Sequence, residues 1–330
     1  MAYSVTFEKQ LFGNMSFTAA YVFSRALHLP IYTDGNVAGA TTTKSYDVVN
    51  SAGVTQSTFT EPFYTTRLNP TTGVIQLGTS DVNSWYNSMV ITLRKNMSHG
   101  VEFLLNYTLS RAIDGGQTSG QFGTFFGTDV VFDPYNKNAE YETSDMDQRH
   151  RFVGSVVYSP PFNRIANKPA RLLLNGFNFA AIVTIASGQP LSEYTSSYPS
   201  GGVDGGFTGA EIGTSAFATG GRVPFLPRNN YYLPNLYNTD FRIAREFRVR
   251  ERYRLALVGE AFNLFNHTLI TNVGPGSPPN AFSFSAAGSG VCSGHTNGCV
   301  VPNPAFPTAT QITSAIYAPR QLQVSARFSF

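Results

Sequence analysis

The stretch DMDQRH holds four side chains that could carry acid–base or metal chemistry. Asp145, Asp147 and His150 could act in hydrolysis, since carboxylates and imidazole exchange protons in enzymes. The two carboxylates could also bind calcium, although no glycine turn separates them. The alternative is a polar rim at a strand start, where Arg149 and Arg151 pair with acidic neighbours. The sequence favours the rim, and we predict no catalytic role.

Two cysteines, Cys292 and Cys299, lie in the stretch CSGHTNGC. Their spacing is loose for a metal clip and suits a disulfide that closes a small loop, with free thiols as the alternative. The chain has no HExxH motif, no nucleophile elbow and no Cys-His zinc set. Its Gly-rich segment 201–221 lacks the Lys-Ser/Thr pair of a phosphate loop. We therefore predict no enzyme and no cofactor.

The composition limits the classes of protein to which the chain can belong. Only 13% of its 330 residues are charged, the formal net charge is +3, and 14% are aromatic. Such a charge does not indicate a nucleic-acid partner. No apolar run is long enough to predict a spanning helix. The start MAYSVTFEKQ shows no signal peptide, which fits either a cytosolic protein or part of a longer exported chain.

Two-residue alternation of apolar and polar positions is the dominant pattern. It is clear in VEFLLNYTLS (101–110) and in the hairpin DFRIAREFRVRERYRLALVGEAFNLF (240–265). Soluble sandwiches also alternate, so strand length carries the argument. Ten residues at about 3.3 Å each, tilted by about 40°, span roughly 25 Å, which is the height of a barrel's lipid-facing band.

Nine such strands are predicted. They lie near residues 3–12, 15–27, 84–95, 100–111, 149–159, 173–188, 238–249, 252–266 and 318–330. Four connections between them exceed 30 residues, which is rare in a compact soluble domain. All four fall on one side of the sheet, as in outer-membrane barrels with short periplasmic turns and long outer loops.

The expected fold is therefore all-β, an antiparallel transmembrane β-barrel segment with long extracellular loops. Single-chain bacterial barrels have an even number of strands. Nine strands predict that residues 1–330 are one portion of a larger barrel, because an open sheet would leave unpaired edges in lipid.

Charged positions in the hairpin alternate with its apolar ones and predict which face is the lumen. An arginine facing lipid at the bilayer midplane would cost about 2–4 kcal/mol. We therefore assign these charged side chains to the lumen, where they hydrate it, contact a plug or contact substrate: Arg242, Glu246, Arg248, Arg254 and Glu260.

Three stretches resemble the C-terminal half of TonB-dependent transporters, in the order found in that family: DMDQRHRFVGSVVYSPPF, GEAFNLFNHT and APRQLQVSARFSF. The Oar-like group, whose members carry a carboxypeptidase-regulatory-like domain, is the most similar. The resemblance implies a 22-stranded outer-membrane barrel whose plug, regulatory-like domain, TonB-contacting part and first strands are absent from this chain. It also implies that Phe330, with Phe328 in the same strand, is the signal recognised by the barrel assembly machinery.

The resulting hypothesis is the wall and extracellular loops of a TonB-dependent transporter that takes up a large nutrient across the outer membrane. The alternative is a structural or adhesion barrel whose long loops bind partners without transport. A soluble secreted β-sandwich is a third possibility, which would dissolve without detergent.

Overall fold

A computed structural model describes residues 1–116, 131–161, 167, 169–171, 175–211, 221–249, 253–273, 280–311 and 319–330. For residues 248, 249, 271, 272 and 309–311 only the backbone is described. Among the described residues, no helix has the length and apolar character needed to cross a membrane.

Strands account for nearly all regular structure. They are β1 (Ala2–Leu11), β2 (Met15–Asp34), β3 (Thr42–Val49), β4 (Thr55–Phe63), β5 (Gln76–Ser98), β6 (Val101–Asp114), β7 (Glu142–Thr143), β8 (His150–Tyr158), β9 (Phe177–Ala186), β10 (Pro190–Leu191), β11 (Tyr194–Thr195), β12 (Tyr231–Tyr232), β13 (Leu236–Val249), β14 (Tyr253–Phe262), β15 (Ile270–Val273), β16 (Asn280–Ser285), β17 (Cys299–Pro302), β18 (Ala309–Gln311) and β19 (Gln321–Ser329). Two short 3₁₀ turns, Lys137–Glu140 and Gly290–Cys292, lie between them.

Nine strands form one antiparallel sheet, which we call the wall. Its order is β1-β2-β5-β6-β8-β9-β13-β14-β19, with β7 paired to β6 at the side. Consecutive long strands are therefore neighbours, as in an up-and-down barrel wall. The nine predicted strands are confirmed, although the predicted turn at residues 250–251 lies outside the described part of the chain.

Two wall strands are longer than the alternation predicted. β2 has 20 residues and β5 has 23, and they stay paired out to Asp34 and Gln76. Register shifts occur near Leu29, where β-bulges increase the local twist. Beyond the bulges, Ile31 and Val82 are buried with Val131. The extension is thus stabilised by packing against Val131, which is distant in sequence. The alternation of apolar and polar residues cannot predict such a contact.

The described parts of the four long connections are folded, which the sequence did not predict. They run over residues 35–75, 115–149, 187–235 and 263–320, all at the same end of the wall. Together they form the cap, and we number them first to fourth along the chain. The largest cap sheet has the order β11-β16-β17-β3-β4 and combines strands of the first, third and fourth connections.

Candidate functional site

The wall has two chemically different faces, which the backbone register shows directly. One row of paired residues is largely apolar and aromatic: Phe7, Ala19, Ile91, Tyr107, Phe152, Ile185 and Tyr237. The next row, on the opposite face, is mainly polar: Glu8, Thr18, Thr92, Asn106, Val153, Thr184 and Asn238. The opposite face also carries scattered aliphatic residues such as Leu104 and Ile182, and we call it the polar face.

The charged residues assigned to the lumen follow the same division. Arg242 pairs with Glu260 across β13 and β14, and their side chains form an ion pair with Nε and Oε1 at 3.6 Å. Glu246 and Arg254 lie at alternate positions of the same two strands and share this polar face. The side chain of Arg248 is outside the described atoms. The contact of these residues with a lumen or a substrate stays a prediction.

Arg245 is an exception that the alternation missed, because it lies on the apolar face. Its guanidinium carbon is 5.0 Å from the ring centre of Phe177 and 4.3 Å from that of Phe247. Cation–π contact with two rings allows a charged group to lie against an apolar surface.

The last strand presents its apolar residues on the same face as the rest of the wall. Leu322 pairs with Ala261, and Phe328 pairs with Leu255. Phe328 stacks on Tyr253 with ring centres 5.9 Å apart, and Phe330 is 91% exposed. The role of Phe330 in assembly is not tested by this geometry and remains a prediction.

The acidic stretch DMDQRH ties strands together. Asp147 is buried and accepts a hydrogen bond from the backbone N–H of Ala112 at 2.6 Å. Asp145 accepts a hydrogen bond from Asn229, and Nδ1 of His150 bonds the Tyr107 hydroxyl at 2.8 Å. These side chains therefore face different partners. In the described part of the chain, no three His, Cys, Asp or Glu side chains are grouped to hold a metal.

Cys292 and Cys299 are joined by a disulfide with their Cα atoms 5.4 Å apart. Both are fully buried and pack against Val49 of the first connection. The bridge closes the turn that leads into β17, whose parallel pairing with β3 joins the fourth connection to the first.

The cap has an aromatic core to which every long connection contributes. Tyr46 comes from the first, Phe132 from the second, Phe207 from the third and Val300 from the fourth, and all four are buried. Partly buried phenylalanines pack around them: Phe59, Phe225, Phe282 and Phe284. Edge-to-face pairs such as Tyr46–Phe207, with ring centres 5.4 Å apart, add to the burial of apolar area. The sequence signal that could have predicted this core is the presence of aromatic residues within Gly- and Ser-rich connections.

Buried ion pairs also join the connections to one another and to the ends of wall strands β2 and β6. Arg222 donates to both carboxylate oxygens of Glu140, and Arg228 donates to Asp114. Arg67 forms ion pairs with Asp34 and Asp204. Charges at these depths are stable only when paired, so the pairs fix how the connections meet.

A pocket of about 380 Å³ lies among the first three connections. Its lining residues are Glu61, Phe132, Asp133, Asn136, Ala139, Glu142, Arg222, Pro224, Phe225, Leu226, Pro227 and Arg228. Burial, with a smaller effect of the Asp133 charge, raises the pKa of Glu61 to about 7. Behind the pocket, full burial raises the pKa of Glu211 to about 8, although Arg222 opposes the shift.

Comparison with known proteins relates nearly the whole chain to one family. Residues 1–323 match the family described as outer membrane beta barrel domain. P. aeruginosa FpvA, solved with heterologous pyoverdines, is similar at 10% identity and a TM-score of 0.44, covering 100% of this chain and 27% of FpvA. The ferric-catecholate import receptor Fiu of E. coli K12 is similar at 11% identity and a TM-score of 0.36, covering 99% of this chain and 34% of Fiu. The chain thus spans about a third or less of each, and no curated protein matches it.

Proposed function

This chain belongs to the outer membrane beta barrel domain family, and we propose that it forms the wall and extracellular loops of a TonB-dependent transporter for a large nutrient. Its location is the outer membrane. The observation that carries the proposal is the division of the nine-stranded wall into an apolar and a polar face, with the described parts of all four long connections packed together at one end.

The apolar face supports the membrane part of this proposal. A continuous band of apolar and aromatic side chains across nine strands matches the lipid-facing surface of a barrel. The opposite face carries hydroxyls, amides and charges such as Arg242 and Glu260, which suit a hydrated lumen. We therefore expect the apolar face to contact the lipid of the outer membrane.

The edges of the wall support completion by further strands. β1 and β19 end the strand order, and no pairing between them occurs among the described residues. Unpaired N–H and C=O groups are costly in lipid. We propose that additional strands of an Oar-like barrel satisfy these edges, that a plug fills the lumen and that TonB acts through that plug. The barrel assembly machinery would recognise the last strand and insert the complete barrel into the outer membrane. None of these roles requires a catalytic step.

A growth experiment tests transport. The native host lacking the gene is grown on a panel of nutrients too large for general porins, each as the sole source of its element. Loss of growth on one nutrient, restored by the full-length gene and abolished by a protonophore, supports energised uptake. Normal growth on all of them, with lost surface attachment, would instead favour the adhesion barrel.

A further inference from the structure

Glu61 is the starting point, because its carboxylate lines the pocket and no described residue pairs with it. Lys44 lies directly opposite on β3, where an ion pair would be expected. Its ammonium group instead lies 3.4 Å from the ring centre of Phe63 and 3.5 Å from the carbonyl oxygen of Ser200. Among the residues that the structure describes, nothing forms a hydrogen bond or an ion pair with the side chain of Glu61.

A second carboxylate shares the pocket. One oxygen of Asp133 accepts hydrogen bonds from the Tyr64 hydroxyl at 2.7 Å and the Tyr135 N–H at 2.9 Å. These donors hold Asp133 in place. The charge of Asp133 contributes to raising the pKa of Glu61, although burial has the larger effect. Two like charges in a half-buried pocket favour the entry of a cation.

The arginines of the pocket do not supply that cation. Arg222 is held by both oxygens of Glu140. Arg228 is held by Asp114 and lies 3.7 Å from Asp145. Each guanidinium is thus matched by carboxylates outside the lining, which leaves the lining carboxylates Glu61, Asp133 and Glu142 to attract a cation.

An unpartnered hydroxyl lies on the same side of the cap sheet. Tyr46 is two residues from Lys44 on β3, so its side chain shares the face of Glu61. It is fully buried, and its hydroxyl has no hydrogen-bond partner among the described residues. Burial raises the pKa of Tyr46, and the charge of Glu61 adds a smaller effect in the same direction. A buried hydroxyl without a partner is unfavourable, so this side of the cap sheet holds a polar group that is not satisfied by the described residues.

The volume and the walls indicate the size and character of the ligand. A water molecule takes about 30 Å³ in the liquid, so a pocket of about 380 Å³ holds far more than a bare ion. Phe132, Phe225, Leu226 and the neighbouring prolines make part of the pocket lining apolar.

We propose that this pocket binds an organic cation, an ammonium or guanidinium group carried on an apolar body, with Glu61 and Asp133 as its counter-charges. Binding of such a cation by the cap does not depend on the proposed function. Only the further step, that the cation is the transported nutrient or a part of it, rests on that function.

A charge series of small ligands tests the proposal on the unmodified chain. The full-length protein in lipid nanodiscs is dialysed against 2-phenylethylamine, neutral 2-phenylethanol or anionic 3-phenylpropionate at mildly alkaline pH. The amine should bind saturably at one site per chain, and the other two should not compete. Its affinity should fall as the pH drops below about 7, where protonation neutralises Glu61.

Two variants locate the binding. Glu61→Gln should weaken amine binding about tenfold, the effect of losing a charge-assisted hydrogen bond. Glu8→Gln removes a carboxylate on β1, away from the cap, and should leave binding unchanged. Equal binding of all three ligands, unchanged affinity in Glu61→Gln, or calcium binding in place of the amine would overturn the proposal. Because binding is measured without uptake, these results are independent of whether the protein transports.

Discussion

Arg222 donates to both carboxylate oxygens of Glu140, at 2.6 and 3.0 Å, across 82 positions of sequence. Glu140 also accepts the backbone N–H of Phe132 at 2.8 Å, and both charged side chains are buried. The pair therefore joins the second and third connections at the back of the pocket.

Glu140→Gln should destabilise the cap by about 3–5 kcal/mol, because it leaves the Arg222 charge buried without its partner. Hydrogen exchange of cap amides measures the effect, and wall amides should be unchanged. Asp81→Asn is the matched control, since it breaks the exposed pair with Lys137 and should cost at most about 1 kcal/mol. Equal effects of the two variants would contradict the role given to the buried pair.

Cap stability should fall as the pH rises from about 5 to about 8. Burial raises the pKa of Glu211 from 4.5 to about 8, so the folded cap holds a proton that the unfolded chain releases above its ordinary pKa. Stability therefore decreases with pH across this window. Arg222 and Glu140 are the charged groups that face Glu211.

Protease resistance of the cap across this pH range measures the change. Glu211→Gln should make the curve shallower, because one titrating carboxyl is gone while Glu61 remains. This holds even where the variant is less stable at every pH. A cap that becomes more resistant as the pH rises would refute the prediction.

Ile91→Arg should destabilise the wall by about 2–4 kcal/mol, since Ile91 lies midway along β5 on the apolar face. Val90→Arg is the matched control, because it places the same charge on a neighbouring β-branched residue of the polar face. Unfolding in lipid vesicles measures both free energies. Equal costs would mean that the two faces do not differ in environment.

Deletion of Phe330 should lower the amount of protein assembled in the outer membrane. The expected reason is loss of the terminal aromatic side chain, so Phe330→Tyr should keep normal levels. Heat-modifiable mobility of membrane fractions distinguishes assembled from unassembled chain. Normal assembly after the deletion would remove Phe330 from the proposed signal.

Much of the wall could be predicted from the sequence, because alternation is a local property of each strand. Alternation predicted that Arg242 and Glu260 share a face, and the antiparallel register of β13 and β14 places them opposite each other. The cap could not be predicted, since its contacts are non-local. Nothing near Glu140 indicates Arg222, and nothing near Tyr46 indicates Phe207.

The pocket was missed for the same physical reason. Glu61 lies in a strand of the first connection, and its neighbour Asp133 comes from the second. Only folding of the connections brings the two carboxylates together. The stretch DMDQRH, with chemically suggestive residues close in sequence, instead turns its side chains to separate partners.

Spin-label accessibility along β5 in lipid bilayers tests the membrane-wall account most directly. Single cysteines at Val90, Ile91, Thr92 and Leu93 would each carry a nitroxide, while Cys292 and Cys299 are held in their disulfide. The account predicts strong relaxation by oxygen at Ile91 and Leu93 and by a water-soluble nickel complex at Val90 and Thr92. Uniform accessibility to the nickel complex at all four positions would contradict it.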